Sequence, residues 1–290
     1  MISVIIPAYN EENVIARCLN NILRGINHSD LEIFVVCNGC IDRTMEIAEQ
    51  YGPPVKAVSI LQSSKIAALN TGDALATSFP RFYIDADVEI SGYALQKVAK
   101  QLESPEVLAA APALQVNLSH SSWAVKSFYA VWTSLPYFSR GDMIGSGVYA
   151  LSEEGRKRFD TFPDIIADDA FVRLLFTREE RETVHDCNFA IHAPTNLNNL
   201  IKIKTRSRFG RTILHKQFPS LQQDQDTTSF SAFRLLAKKP FLLPAMAVYL
   251  YVQVQTKRHT RRKLATADFS TWERDESSRP PVSWDTGKRP

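Results

Sequence analysis

Asp85-Ala86-Asp87 closes an apolar run, Phe82-Tyr83-Ile84. Side chains alternate along an extended chain, so two carboxylates two residues apart face the same way. Carboxylates that close repel unless a cation or a proton lies between them. Mg2+ and Mn2+ prefer oxygen ligands and bridge readily to phosphate oxygens. The triplet is therefore a candidate site for a divalent metal and a diphosphate, with Asp87 and Asp85 as ligands. On its own, a solvated acidic turn after a strand is the commoner explanation. The neighbouring segments give the triplet its weight.

Those segments alternate strand and helix. Ile2–Ile6 reads as a buried strand, with Pro7-Ala8-Tyr9-Asn10 as the loop after it. Asn10 is placed to cap the next helix, with Glu11 and Glu12 in its first turn. Val14, Ile15, Cys18, Leu19, Ile22, Leu23 and Ile26 recur there at helical spacing. Leu31–Val36 and Val55–Ile60 read as strands two and three, and Phe82–Ile84 as strand four. Helices are predicted over Asp42–Tyr51 and Ser64–Ser78. Such alternation implies a parallel sheet with helices on both faces, which binds ligands at the carboxyl ends of its strands. The loops there, Pro7–Asn10, Cys37–Asp42 and Asp85–Asp87, are rich in ligand-capable groups.

The second half is more mixed. Leu95–Leu102 reads as a helix and Val107–Val116 as a strand. Gly145-Ser146-Gly147 precedes a strand over Val148–Leu151. Asp168-Asp169 opens a helix that runs to Phe176. A further strand ends over Ile191–Pro194, and a basic helix covers Leu197–Phe209.

The chain has 290 residues, 44% hydrophobic and 22% charged, which describes a folded α/β protein. Its net charge of +3 is too small to argue for nucleic acid. The four cysteines form no disulfide framework. Cys37 and Cys40 lack the second pair that zinc would need, and are read as thiols at a strand–loop junction. His192 or His215 could complete a metal shell, though a surface or core histidine is the commoner case. No secretory signal precedes the first strand, so the expected location is cytoplasmic or at the inner face of the membrane.

In order along the chain, Val4-Ile5-Ile6-Pro7-Ala8-Tyr9-Asn10-Glu11-Glu12, Val35 to Thr44, Lys65 to Gly72 and Asp85-Ala86-Asp87 together resemble family 2 of the inverting nucleotide-sugar glycosyltransferases. Asp168-Asp169 sits where that family carries an acidic base motif. Thr205-Arg206-Ser207-Arg208-Phe209 loosely resembles its late arginine motif. The resemblance covers about residues 1–210. It implies an A-type glycosyltransferase fold, α/β, with a mostly parallel Rossmann-like sheet, flanking helices and a mixed C-terminal part. It also implies a catalytic domain over 1–225, whose nucleotide-binding half is 1–90 and acceptor half 91–225.

The resemblance assigns roles. Pro7, Ala8, Tyr9 and Glu11 would cradle the nucleoside, Tyr9 against the base and Glu11 on the ribose. Asn38 stands where the family often has a base-reading aspartate. An amide donates as well as accepts, so base preference could differ from uridine. Lys65 would place a positive charge near the diphosphate. Asp85 and Ala86 would meet the donor, and Asp87 would hold Mg2+ or Mn2+. Asp169 would be the general base, with Asp168 in reserve because the register is open by one residue. Arg206 and Arg208 would clamp the diphosphate. Thr205 and Phe209 replace the family's glutamine and tryptophan, which points to transfer of one sugar rather than processive synthesis. The partner is a nucleotide-sugar donor. Two other classes stay open at this point: a nucleotidyltransferase, and a non-catalytic sugar- or lipid-binding module. No Gly-x-Gly-x-x-Gly follows the first strand, which disfavours a dinucleotide dehydrogenase.

Ser121–Phe138 carries six aromatic residues. Phe241–Val254 is apolar, interrupted by Pro244, and flanked by Lys238, Lys239 and a basic run from Lys257 to Lys263. At about 1.5 Å per residue it is too short to span a bilayer. Residues 226–263 are therefore read as an apolar and basic helical segment, either a core helix or a peripheral contact with an anionic membrane. Both segments hint at a lipid-linked acceptor. Residues 264–290 are expected to be disordered.

Overall fold

The computed structural model describes residues 1–135, 146–221 and 242–266. The chain opens on β1 (Ile2–Ala8), whose residues are all buried, as befits a central strand covered on both faces. β2 (Leu31–Asn38) and β3 (Val55–Ile60) extend the sheet on one side, and β4 (Arg81–Ile84) pairs with β1 on the other, all parallel. β5 (Glu89–Ile90), β6 (Ala109–Asn117), β7 (Val148–Leu151) and β8 (Arg181–His192) complete the order β3-β2-β1-β4-β7-β6-β8-β5. β7 runs antiparallel to β4 and β6, and the short β5 antiparallel to β8. β6 and β8 are parallel, with a register shift between Pro112 and Ala113.

Alternation along β1 divides the core. Ile2, Val4, Ile6 and Ala8 face one cluster, with Ile15, Cys18, Leu19 and Ile22 of α1 (Ile15–Leu23), residues of α2 (Thr44–Glu49) and residues of α4 (Gly92–Gln101). Ile5 faces the other, with α3 (Lys65–Leu75), the phenol ring of Tyr83 and α7 (Asp168–Leu175). A short helix, α6 (Glu153–Arg156), follows β7. A third cluster joins α5 (Trp123–Trp132), α8 (Leu197–Gln217) and α9 (Leu243–Thr266) through Phe128, Leu200, Met246 and Tyr249.

Several boundaries differ from the sequence reading. β1 continues through Pro7 and Ala8, which were expected in the loop. The last β1 residue paired with β4 is Ile5, and proline is tolerated where a ladder bond is not required. Asn10 does not cap α1. It takes a left-handed backbone with φ of 53°, and the helix starts only at Ile15. Asn tolerates that conformation better than most residues. Pro244 does not interrupt α9. It lies in the first turn, where its missing N–H has no intrahelical partner to lose. α9 then carries the basic run as helix to Thr266, past the expected start of disorder. The remaining tail lies outside the described residues, as do Tyr137, Phe138, Gly145, Lys238 and Lys239.

α3 lies close against the sheet. A Cβ at Gly72 would come within 2.5 Å of the Ile5 Cγ2 and 3.2 Å of the Val36 Cγ2, both on stiff, buried side chains. Alanine improves helix propensity by about 1 kcal/mol, yet overpacking a core costs about 1–3 kcal/mol. Gly72→Ala is expected to destabilise the protein by about 1–2 kcal/mol, seen as a lower urea midpoint at unchanged slope. Equal or greater stability would show that the contact relaxes freely.

Candidate active site

Four loops meet at the carboxyl edge of β1–β4. The first two are laced together. Ile41 N donates to Asn10 Oδ1 at 2.9 Å, Glu12 N to Asp42 Oδ2 at 3.1 Å, and Glu11 N to Thr44 Oγ1 at 2.7 Å. Thr44 Oγ1 in turn donates to Asp42 Oδ1 at 2.6 Å. The Cys40 thiol donates to Ala8 O at 3.2 Å. Contact with the Cys37 thiol pulls Cys40 down to about 7 and pushes Cys37 up. The pair thus sits where the first two loops meet.

Asn38 is buried. With its orientation assigned from its hydrogen-bond partners, its amide donates to Ala8 O at 2.7 Å and accepts from Ser64 N at 3.3 Å. Ser64 caps α3 by accepting from Ala67 N at 3.2 Å. One amide therefore joins the ends of β1 and β2 to the start of α3. A carboxylate there would set an acceptor against the Ala8 carbonyl, a physical reason for asparagine at this position.

Lys65, the first residue of α3, does not stand alone at the edge. Its Nζ lies 2.7 Å from Asp85 Oδ1 and 2.9 Å from Asp168 Oδ1. Burial alone would lower the Lys65 pKa, but the charges of Asp168 and Asp85 outweigh it and hold the ammonium well above its usual range. The charge expected near a diphosphate is thus committed to two carboxylates. Asp168 is 3% exposed and also accepts from the Tyr149 hydroxyl at 3.2 Å. Asp169, the next residue, is half-buried. Burial, and then the Asp168 charge, push it up to about 6. Its carboxylate accepts from Ala170 N at 2.7 Å.

Asp85 is likewise pushed up, by burial first, against the pull of Lys65; Asp168 and Asp87 add to the rise. Its backbone N donates to Gly147 O at 2.8 Å. Gly147 has φ of +97°, and a Cβ there would stand 3.1 Å from Asp85 Oδ2 and 3.0 Å from the Val88 Cγ2. Glycine at 147 lets the chain pass close over Asp85, where the sequence showed only a glycine-bearing segment before a strand. Asp87 is half-buried, and its charge helps to raise the buried Cys18 thiol, after burial itself.

The arginines of the late motif are Arg206 and Arg208. Both lie on α8, and Gly210, one turn on, packs against Ile166 and Ala167 just before Asp168. Arg208 is lowered by burial and then by Arg211 and Arg261, so its charged surroundings are cationic. Thr205 and Phe209 are buried in the helix interface. The middle of the aromatic stretch packs as core, with Phe128 stacked on Tyr249 at 5.3 Å and Lys204 3.8 Å above the Trp132 ring, while Trp123 is 68% exposed. His192 meets Glu89 at 2.6 Å, and the same oxygen pairs with Arg17. Two surface hollows of about 580 and 570 Å3 lie elsewhere, one lined by Met1 and Phe79, the other by Glu32 and Pro54.

Among the described residues, no three histidine, cysteine or acidic side chains form a closed metal cage. Mg2+ and Mn2+ at phosphate sites take one or two carboxylates and complete the shell with substrate oxygens and water. The charges of Asp168 and Asp87 raise Asp85 and those of Asp168 and Asp85 raise Asp169, while one ammonium bridges Asp85 and Asp168. That surplus of negative charge fits an open cation site at Asp85 and Asp87.

The sequence pattern described as glycosyl transferase family 2 matches residues 3–153, just over half of the 290. The chain belongs to glycosyl transferase family 2. Curated relatives include the uncharacterized glycosyltransferase EpsJ of Bacillus subtilis, 30% identical over 37% of this chain and 32% of its own. The glycosyltransferase AglE of Haloferax volcanii is 37% identical over 30% of each chain. The alignments thus span about a third of these family members. Among solved structures, the mannosyltransferase PcManGT of Pyrobaculum calidifontis, in complex with GDP-Man and Mn2+, matches with a TM-score of 0.59. It is 20% identical, over 92% of this chain and 79% of that one. Glucosyl-3-phosphoglycerate synthase of Mycobacterium tuberculosis, one complex of which holds Mn2+, UDP and glucosyl-3-phosphoglycerate, matches with a TM-score of 0.53. It is 20% identical, over 78% of this chain and 81% of that one. The likeness establishes the A-type fold of the family for this chain.

In metal-free protein, the Asp169 carboxyl is expected to titrate at about 6 by carbon NMR. In Asp168→Asn, which removes a repelling charge, its midpoint falls. A wild-type midpoint near the ordinary carboxylate value of about 4 would contradict this electrostatic picture.

Proposed function

We propose that the chain transfers one sugar from a nucleoside diphosphate sugar to an acceptor hydroxyl, with inversion at the anomeric carbon. The observation that carries this reading is the Lys65 bridge. It draws the acidic tip after β4 against the first turn of α7, so a candidate donor site and a candidate base share one edge of the sheet. The two solved neighbours, by their descriptions, hold a nucleotide or nucleotide sugar with Mn2+.

In this reading, Ala8, Tyr9 and Glu11 take the nucleoside, with Pro7 and Asn38 fixing the loop beneath it. Asp87, with Asp85, holds Mg2+ or Mn2+. The ion supplies charge neutralisation for the departing diphosphate. Asp169 accepts the proton of the acceptor hydroxyl as its oxygen bonds to the anomeric carbon. The bond from that carbon to the diphosphate breaks on the opposite face, and the nucleoside diphosphate leaves. Its raised pKa suits Asp169 to this step, because a base works best when its pKa lies near the working pH. Below about 6 the carboxyl is protonated and cannot act as a base. Lys65 is a positioning residue, holding Asp85 and Asp168 at fixed places. Ala86 lies between the two acids, and Arg206 and Arg208, on α8, are the late-motif arginines for the diphosphate.

Asp87→Asn and Asp169→Asn are each expected to lower sugar transfer by about 10²–10⁴-fold, measured as nucleoside diphosphate release, with thermal unfolding unchanged. Full activity in either variant would reject the role assigned to that residue.

A further inference from the structure

α9 carries a face that the core does not use. Met246, Tyr249, Val252, Thr256 and Thr260 form its buried side. On the opposite side Leu243, Leu250, Tyr251 and Val254 are 60%, 53%, 50% and 49% exposed. These positions recur at three-, four- and seven-residue spacing, so they form one stripe. Lys257, Arg258, Arg261 and Arg262 continue the same stripe and are exposed too. No aspartate or glutamate occurs between Leu243 and Thr266. Among the described residues, positive charge extends onto the neighbouring helix. Beyond burial, the charges acting on Arg208 are those of Arg211 and Arg261, and Lys204 is lowered to about 7 by burial and by Arg211.

No helix among the described residues is long and apolar enough to cross a bilayer. We infer that the exposed face of α9 docks on an anionic lipid membrane, with its apolar half in the interface and its basic half on the headgroups. An apolar patch rimmed by acid and base alike would suit a protein partner. A stripe that passes from leucine, tyrosine and valine to four bases without one acid matches the layering of a lipid interface. α9 packs on α8, and α8 packs beside Asp168 at Gly210. Docking therefore sets the membrane two helices from the acidic cluster. The inference stands apart from the transferase reading, because it is measured without donor or acceptor.

The test is sedimentation of the full chain with vesicles of phosphatidylcholine alone and of phosphatidylcholine with 30% phosphatidylglycerol. The wild type is expected to partition at least about tenfold more onto the anionic vesicles, and less at 0.5 M salt. Arg258→Ser/Arg261→Ser/Arg262→Ser lowers that partitioning on the order of a hundredfold. Leu250→Glu/Val254→Glu removes it at either salt. All five positions are exposed, and circular dichroism verifies the fold; should one variant unfold, the other decides. Equal partitioning onto both vesicle types, or wild-type partitioning by a folded variant, overturns the proposal. Duplex DNA binding without vesicle binding, or self-association removed by the apolar substitutions without vesicle binding, overturns it as well.

Discussion

An ammonium held between two carboxylates fixes the geometry of this protein's acidic edge. Lys65 begins α3, Asp85 ends β4 and Asp168 begins α7, so one side chain ties the βαβ half of the chain to the half that follows. Breaking such a group by removing one partner leaves a charge without compensation, and that is far costlier than the pair is favourable. The scaffold supports the bridge from several directions. Ser64 caps the helix that presents Lys65, Asn38 holds Ser64, Tyr149 holds Asp168, and Gly147 lets a strand end close over Asp85.

The same bridge sets the electrostatics. Two carboxylates share one positive charge, and Asp169 stands next to them. The first turn of a helix normally favours an acid, because the N-terminal amides carry partial positive charge. Asp169 is nonetheless raised, since burial and the Asp168 charge outweigh that help. An edge so rich in carboxylate repels a diphosphate unless a cation comes with it. The arrangement is what the proposed chemistry needs: an acidic edge that a divalent ion would neutralise on the donor side, and beside it a carboxyl raised to about 6.

Much of this was legible in the sequence because the signals are local. An all-apolar run reads as a central strand, strand–helix alternation reads as a parallel sheet, and Asp-x-Asp after a strand reads as a same-face pair. What escaped was set by distant residues. The bridge from Lys65 to Asp168 was not legible because the two lie 103 positions apart. Asn10 looked like a helix cap by type, yet Cys40 and Ile41 of the second loop claim its backbone and side chain. Pro244 looked like a break because proline's meaning depends on where the helix starts. The aromatic run around Phe128 hinted at a lipid-linked acceptor, and its packing against α8 and α9 puts Phe128, Tyr129 and Trp132 in a core cluster.

Calorimetric titration of nucleoside diphosphates, in chelator and then in Mn2+, tests the account most directly. It predicts binding at least about tenfold tighter with the ion, an increment that disappears in Asp87→Asn. Equal affinity with and without the ion, in protein whose fold is intact, would contradict the claim that this acidic edge takes a diphosphate only through a cation.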